Sequence, residues 1–181
     1  MAKKILQKEA PVLRDIAKEV PLEQIKSNRI KAILEEMKEA LEGQEDGVAI
    51  AAPQIGYSLR IFIVSGKIVN IIKSEKKQKI PAEAPIVFIN PEIIKISKEK
   101  RVVEEGCLSV RYLYGKVSRG LKATIEAHDE NGKKFERGGT GLLAQIFQHE
   151  VDHLNGILFI DKTKYVEEIL PKQHRSHATK K

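Results

Sequence analysis

Residues 141–156, GLLAQIFQHEVDHLNG, constrain the fold more than any other part of the chain. The apolar residues of this stretch lie almost all round a helical projection, which predicts a helix buried on every side. Five polar residues are nevertheless clustered at its centre, and buried polar groups are costly unless something compensates them. A bound metal ion is a good candidate for that compensation. The apolar residues are Leu142, Leu143, Ala144, Ile146, Phe147, Val151 and Leu154, and the polar ones are Gln148, His149, Glu150, Asp152 and His153.

His149 and His153 are four residues apart, so their imidazole rings lie on one face of a helix, one turn from each other. With Glu150 they form the pattern HExxH, in which two histidines bind a metal ion and the glutamate handles a proton. This pattern alone also occurs by chance. The interpretation therefore needs support from the rest of the chain.

A catalytic metal site usually has three protein ligands and an open position for water. The candidates for the third ligand are Cys107, an acid and His128. Cys107 lies in the sequence Glu-Gly-Cys-Leu-Ser between a predicted strand and a turn, where the glycine frees the backbone to aim the thiolate. As the only cysteine it excludes an intrachain disulfide. His128 ends a predicted strand just before a turn, where a solvated histidine is the better interpretation.

The length and composition indicate one domain that is large enough to bury a core. The chain has 181 residues, 41% of them hydrophobic, and no run of eighteen apolar residues that would predict a membrane span. Its N-terminus becomes charged and contains a proline too early for the apolar core of a signal peptide. We therefore expect a cytoplasmic monomer that does not associate with a membrane.

The formal net charge of +7 favours loose association with polyanions such as ribosomal RNA. Much of the excess lies in residues 73–79 and in the tail 172–181, neither of which contains an aromatic residue. A solvated loop and a solvated, disordered tail are therefore better interpretations than a nucleic-acid site. We predict one catalytic domain over residues 1–171, followed by the basic tail 172–181.

Short β-rich runs precede the long buried helix, an order typical of an α+β fold rather than of alternating β and α units. We predict small antiparallel or mixed sheets packed around one long buried helix that carries HExxH. An amphipathic helix is predicted to begin at Leu22 or Asn28 and to end at Leu41. The predicted strands are 59–64, 68–72, 85–90, 91–97, 102–108, 121–128, 133–137 and 157–160, and a short helix is predicted at 163–170.

Three separate motifs of the chain resemble those of the peptide deformylases. Residues 47–54, GVAIAAPQ, are similar to the family's first motif, GxGxAAxQ. Residues 105–109, EGCLS, match its second motif, and residues 148–156, QHEVDHLNG, match its third, QHExDHLxG. HExxH alone is a weak signal, whereas the three motifs in this order and spacing are highly specific.

The resemblance implies a metal-dependent hydrolase that removes the N-terminal formyl group from formyl-methionyl nascent polypeptides and releases formate. It implies that Cys107, His149 and His153 bind one divalent metal ion per chain. In this family the ion is typically Fe2+, with Zn2+, Ni2+ or Co2+ able to occupy the site. Metal-bound hydroxide would attack the formyl carbon, with Glu150 as general base and then as general acid.

Further roles follow from the same resemblance. The side-chain NH2 of Gln54 and the backbone N–H of Leu108 would stabilise the oxyanion together with the metal. Asp152 would either orient a ligand or bind a buried arginine. We also hypothesise that the basic tail 172–181 helps the enzyme to dock on the ribosome, because its substrates would be nascent chains.

The substrate peptide is expected to pair in strand fashion with the backbone around Val48 and Ala49. The methionine side chain would enter an apolar pocket lined by Val48, Leu108, Ile146 and Phe147. Ile146 and Phe147 fit the hydrophobic core equally well, so both interpretations of these two residues stay open.

The chain departs from the family pattern at three places. Ala49 stands where glycine is usual, Arg111 stands where proline is common, and residues 65–85 are longer than in compact members. The methyl group of Ala49 is expected to crowd the peptide or to restrict the backbone. None of these changes falls on a ligand, on Glu150 or on Gln54, so we expect activity to be retained.

Three other classes of protein compete with this interpretation. An HExxH metalloprotease would cleave internal peptide bonds, a non-enzymatic relative would bind a peptide or the ribosome, and a plain α+β domain with a fortuitous triad would bind no metal. Release of free formate from a formylated peptide distinguishes a deformylase from a metalloprotease. Loss of a ligand or of Glu150 would indicate a non-enzymatic relative, and stoichiometric metal excludes the plain α+β domain.

Overall fold

The computed structural model describes residues 3–68 and 84–170 and shows an α+β architecture, which confirms the predicted fold class. The strands described form a five-stranded sheet in the order β1-β2-β3-β6-β7 and a three-stranded sheet in the order β4-β5-β8, and neighbouring strands in both are antiparallel. The elements are α1 Asn28–Glu42, β1 Ala49–Ala51, β2 Ile61–Val64, β3 Ile86–Ile96, β4 Lys100–Gly106, β5 Leu113–Gly120, β6 Lys122–His128, β7 Lys134–Thr140, α2 Leu142–Leu154 and β8 Val166–Glu168.

The five-stranded sheet lies between the two helices. Strand β2 shows this layering most clearly, because all four of its residues are buried. Successive side chains of a strand point to opposite faces. Ile61 and Ile63 accordingly join the core cluster that contains α1, whereas Phe62 and Val64 join the cluster that contains α2. The HExxH helix thus packs on one face of this sheet and α1 on the other, and the HExxH helix also contacts β5 of the smaller sheet.

Helix α1 begins at Asn28, the later of the two predicted positions. The hydroxyl of Ser27 accepts a hydrogen bond of 3.2 Å from the N–H of Ile30, which satisfies one of the free amides of the first turn. The predicted apolar stripe is buried, and the helix ends at Glu42, directly before Gly43.

Strand β3 runs continuously through the boundary between the predicted strands 85–90 and 91–97. Asn90 adopts a positive φ of 51°, and the pairing with β6 shifts register around it, which is a β-bulge. The carboxamide of Asn90 both accepts from the N–H of Val20 and donates to its C=O, each at 2.8 Å. This pairing ties the N-terminal segment to the sheet at the bulge.

The C-terminal part of the fold differs from the sequence prediction. Residues 157–160 do not form a strand, because a 3-10 helix spans Phe159–Asp161. The predicted helix at 163–170 is wrong, since Val166–Glu168 is strand β8 and pairs with β5. Strand β5 itself was not predicted. Most of the predicted strand 68–72, the lysine-rich run 73–79 and the tail 172–181 lie outside the described residues.

No helix of the described chain is both long and apolar enough to cross a membrane.

Candidate metal centre

The end of strand β4 and helix α2 bring Cys107, His149 and His153 together. Cys107 follows the last residue of β4, and both histidines project from α2. One ligand atom of each residue lies within 4.8 Å of the others. Sγ of Cys107 is 3.1 Å from Nε2 of His153, and the two imidazole ring centroids are 5.0 Å apart. His128, the other histidine considered for this site, ends β6 and takes no part in this cluster.

The donor set suits a divalent transition metal ion. Thiolate and imidazole are the ligands that zinc and iron accept readily, and three of them leave a coordination position for water. Burial by itself would raise the pKa of the Cys107 thiol, but the charge of His153 and the hydrogen bonds with both histidines outweigh it and lower this pKa to about 5. The thiolate form required of a ligand is therefore favoured.

Protein contacts compensate Gln148 and Asp152, the two polar residues in the middle of α2 that belong to neither the candidate ligands nor Glu150. The carboxamide of Gln148 accepts from the N–H of Gly120 at 2.9 Å and donates to its C=O at 3.0 Å, as a neighbouring strand would. The carboxylate of Asp152 accepts from Arg119 and from Lys162, each at 2.6 Å. Of the two roles considered for Asp152, binding a buried arginine is therefore the one that the contacts support.

Glu105 holds one of the histidine ligands in place. Its Oε2 is 3.0 Å from Nδ1 of His149, which leaves Nε2 of that ring for a metal ion. Both carboxylate oxygens of Glu105 also accept from Arg119, at 2.6 and 2.8 Å. Burial opposes the ionised form, but the hydrogen bonds from Arg119 and His149 dominate and lower the pKa of Glu105 to about 2. Phe159, which lies in the 3-10 helix that follows α2, stacks its ring on that of His149, with the ring centroids 6.5 Å apart.

A buried ionic network therefore runs from the metal centre to the surface. It comprises His149, Glu105, Arg119, Asp152 and Lys162 in that order. The side chain of Arg119 is 4% exposed and that of Lys162 is 37% exposed.

Glu150 lies beside the three candidate ligands without a partner of its own. The residue is 4% exposed, and its Oε2 makes no hydrogen bond within the described part of the chain. Burial raises the pKa of Glu150 to about 7, and the charges of His149 and His153 oppose this only in part. A buried carboxyl with such a pKa can take up and release a proton near neutrality.

Gln54 reaches the centre from the 3-10 helix Ala52–Ile55. Its Oε1 accepts from the N–H of Ala51 at 2.8 Å, which fixes the orientation of the amide. The NH2 group then points toward Cys107 and Ser109, with Nε2 lying 3.6 Å from Sγ and 3.1 Å from Oγ. Leu108 directly follows the candidate ligand Cys107 in the chain.

A cavity of about 320 Å³ opens beside the centre. It is bordered by β1 and β4, which are edge strands of the two different sheets. Three of the residues that the resemblance assigns to the methionine pocket, Val48, Leu108 and Ile146, line it together with Ala49, Gln54 and Glu150.

Phe147 does not line this cavity. It is fully buried in the core, with its ring centroid 6.4 Å from that of Phe62 and 5.4 Å from that of Phe88. Successive helix residues point about 100° apart, so Ile146 can face the cavity while Phe147 faces the sheet. Of the two interpretations left open for Phe147, core packing is the one that the contacts support.

Two of the three departures from the family pattern, Ala49 and Arg111, have local explanations. Ala49 is an extended residue of β1 whose side chain belongs to the core cluster around α2, so the backbone accepts its methyl group without strain. Arg111 donates to Asp46 at 2.8 Å and also to Gln44, which joins the loop after Cys107 to the loop before β1 at the cavity.

Gly106 is needed for space. A Cβ atom there would lie 2.7 Å from the ring of Tyr114, which covers the glycine from the neighbouring strand. The structure thus gives a packing reason for this glycine, in addition to the expectation that it frees the backbone to aim the thiolate.

Glu105, Arg119 and Ser109 are not among the site residues that the sequence predicts. Glu105 and Ser109 lie inside the quoted motif EGCLS, so a search for partners of the histidines within the motifs could have found them. Arg119 stands fourteen residues after Glu105, outside every motif, and only the pairing of β4 with β5 brings it near.

A cysteine and two histidines beside a buried glutamate, at the wall of a cavity, define the site of a metal-dependent hydrolase. The profile of the polypeptide deformylase family matches residues 2–168. The chain belongs to this family.

Relatives and solved structures agree. Peptide deformylase 2 from Clostridium acetobutylicum is 39% identical over 145 residues, which cover 80% of this chain and 86% of the relative. Peptide deformylase from Carboxydothermus hydrogenoformans is 40% identical over 159 residues, covering 88% and 91%. A ligand-bound crystal structure of class I type b peptide deformylase from Acinetobacter baumannii superposes with a TM-score of 0.77 at 33% identity, covering 90% of this chain and 99% of that one.

Proposed function

We propose that the chain hydrolyses the N-terminal formyl group of formyl-methionyl nascent polypeptides at the centre formed by Cys107, His149 and His153. The observation that carries the proposal is the convergence of these three donors within 4.8 Å beside Glu150, a buried carboxyl with an unpaired oxygen. A divalent ion held by the three donors would supply Lewis-acid polarisation of the formyl oxygen and a lowered pKa for water. We favour Fe2+, with Zn2+, Ni2+ or Co2+ as alternatives.

Glu150 is proposed to move the proton. Its unpaired Oε2 would accept a proton from the attacking water and then donate it to the nitrogen of the departing peptide amine. The raised pKa of about 7 supports this role, because a group that both accepts and releases a proton works best when its pKa lies near the working pH.

Gln54 and Leu108 are proposed to stabilise the negative charge that develops on the formyl oxygen. The orientation of the Gln54 NH2 group by Ala51 supports its role, since a donor that is already aligned needs no reorganisation during the reaction. The backbone N–H of Leu108 would be the second donor.

The peptide is proposed to lie in the cleft between the edge strands β1 and β4, adding a strand next to Val48 and Ala49. Its first side chain would point toward Ile146. One crystal structure of the Acinetobacter baumannii enzyme contains Met-Ala-Ser, and that enzyme is 32% identical to this chain with a TM-score of 0.76. A methionine-led peptide is therefore our proposed ligand for this cleft as well.

The protein should be purified without oxygen, its metal counted by mass spectrometry, and formate release measured from formyl-Met-Ala-Ser. One metal ion per chain together with formate supports the proposal. One metal ion without formate, even after reconstitution with iron, nickel and cobalt, contradicts it, and unformylated protein substrates then test the metalloprotease alternative. Absence of stoichiometric metal contradicts the proposed centre itself.

Ribosome docking through residues 172–181, a monomeric state and a cytoplasmic location remain part of the proposal. Co-sedimentation with ribosomes that persists unchanged after deletion of these ten residues would remove the docking hypothesis.

A further inference from the structure

An ion pair joins two loops where the cavity at the metal centre opens to solvent. Nη1 of Arg111 donates to Oδ2 of Asp46 at 2.8 Å, and Nη2 donates to the side chain of Gln44. Arg111 and Asp46 both line the cavity, and their side chains are 30% and 60% exposed. We call these two residues the rim pair. A substrate that leaves the cavity on this side meets one positive and one negative charge.

The backbone at Arg111 is held independently of the rim pair. The side chain of Gln7 accepts a hydrogen bond of 3.2 Å from the N–H of Arg111 and donates one of 3.0 Å to the C=O of Leu108. Loss of the Asp46 charge should therefore leave the guanidinium at the cavity with an unbalanced positive charge. Loss of the Arg111 charge should leave the carboxylate of Asp46 unbalanced instead.

The direction of β1 indicates which substrate residue meets the rim pair. Strand β1 ends at Ala51 and runs toward the metal centre, because Nε2 of Gln54 lies 3.6 Å from Sγ of Cys107. The formyl group of a substrate has to lie at this centre. A peptide that pairs with β1 from there runs antiparallel to it, so each step along the peptide is one step back along the strand. With the first peptide residue opposite Val48, the third lies opposite Asp46.

Other charges on the cavity wall have opposite charges beside them. Outside the metal centre, Glu104 and Glu105 also line the cavity. Glu104 lies directly opposite Lys116 in the pairing of β4 with β5, and Glu105 accepts from Arg119. The rim pair therefore determines the charge of the cleft where the third substrate residue lies.

We infer that Arg111 and Asp46 are specificity-determining residues that together keep the cleft neutral, so that acidic and basic third residues are accepted equally well. The inference rests on the proposed function and deepens it, because it names the residues that free one substrate position from selection by charge. Nascent chains differ in this residue, and a cleft with a net charge would process some of them slowly. Loss of either partner should create a preference, and the two preferences should have opposite signs.

The test uses metal-loaded enzyme at low ionic strength and the peptides formyl-Met-Ala-X-amide, in which X is lysine, glutamate or glutamine. The terminal amide removes the carboxylate charge next to X. For the wild type we expect equal kcat/KM for lysine and glutamate. For Arg111→Gln the lysine-to-glutamate ratio should rise by about 5-fold or more, and for Asp46→Asn it should fall by a similar factor. Two unit charges about 4 Å apart in water interact strongly enough to change an equilibrium constant by about 5-fold.

Further variants separate the charges from the fold. Arg111→Lys keeps the positive charge and should keep the wild-type ratio, and the double variant Arg111→Gln/Asp46→Asn should return close to it. Lys134→Gln is the matched control, because Lys134 and Glu126 form an ion pair of 2.7 Å with side chains 60% and 29% exposed, and neither lines the cavity. Its ratio should equal that of the wild type. Exposed ion pairs contribute little to stability, so these variants should fold.

Salt gives a second readout, because 1 M NaCl screens charges beyond about 3 Å. The ratios of both single variants should then approach that of the wild type. Single variants of Arg111 and Asp46 that both keep the wild-type ratio at low ionic strength overturn the inference, as do shifts of the same sign in the two.

Binding of the deformylated products Met-Ala-X-amide, measured by calorimetry with metal-loaded protein, does not depend on turnover. The same opposite shifts are expected for Arg111→Gln and Asp46→Asn. If the wild type releases no formate from any peptide, the proposed function fails, whereas the binding series still supports or overturns the charge balance. Equal affinities in all variants, or no binding to any of them, overturn it.

Discussion

Replacement of Arg119 by methionine should destabilise the protein severely. The guanidinium is 4% exposed and donates three hydrogen bonds, two to Glu105 and one to Asp152. Its loss leaves two buried carboxylates without their main partner. Removing one partner of a buried ion pair costs about 3–5 kcal/mol.

The pKa of Glu105 gives an independent magnitude. This pKa is about 2 in the folded protein and 4.5 ordinarily. At about 1.4 kcal/mol for each pH unit, the difference corresponds to about 3 kcal/mol. Because the folded-state pKa is lowered, this stability is fully present above pH 4.5 and is lost as the pH falls toward 2. Hydrogen bonds and charges of both Arg119 and His149 lower this pKa, so in Arg119→Met the part of the acid-dependent loss that is due to Arg119 should be absent.

The measurement is urea unfolding of the chelated, metal-free protein at several pH values, with Lys162→Met as the matched control. Lys162 binds the same Asp152 from the surface end of the network, and its side chain is 37% exposed. Its loss should cost only about 0.2–1 kcal/mol. Similar small losses for both variants would refute the view that Arg119 neutralises two buried carboxylates. In a separate titration, metal affinity of Arg119→Met should fall by about 10–100-fold, because Glu105 orients His149.

Three further outcomes are expected. Glu150→Gln should lower kcat by about 10²–10⁴-fold while one metal ion per chain remains by mass spectrometry, and metal loss would show that Glu150 is a ligand. Cys107→Ser should weaken metal binding in a chelator competition, because an alcohol is a poor substitute for a thiolate as a ligand. An unchanged metal affinity would exclude Cys107 as a ligand. Gly132→Ala should cost about 1–2 kcal/mol for its positive φ of 77°. Gly156→Ala should cost about 1–3 kcal/mol more than Gly132→Ala, because at its φ of 72° the added Cβ would also lie 2.4 Å from the carbonyl oxygen of Arg14. Thermal unfolding of both variants measures the difference, and equal losses of stability in the two would contradict this clash.

Local and periodic features of the fold could be predicted from the sequence. The stripe of α1 and the all-round apolar character of α2 are properties of one segment each, so their burial follows from spacing alone. The HExxH pattern is equally local, because helix geometry by itself places His149 and His153 on one face. The third candidate ligand, Cys107, was predicted from motif context, and its approach to α2 depends on how β4 packs.

What the sequence could not show depends on contacts between distant segments. Residues 163–170 were predicted as a helix, but pairing with β5 makes part of them a strand, so tertiary contact overrode local preference. The same holds for Arg119 and Lys162, which look like ordinary surface cations in the sequence. Only the folded chain shows that they neutralise Glu105 and Asp152.

The carboxamide of Asn90 has a consequence for how the protein ages. Asparagine deamidates when the backbone nitrogen of the next residue attacks its side chain, and Pro91 has no N–H to lose in that reaction. Conversion of Asn90 to aspartate would remove the donor to the C=O of Val20 and place a charge at the bulge. Asn131, in contrast, precedes Gly132 in an exposed turn, where the attack is easy. Asn155 likewise precedes a glycine and is exposed, so chemical damage should accumulate at these two Asn-Gly sites, while the amide that anchors the N-terminal segment stays intact.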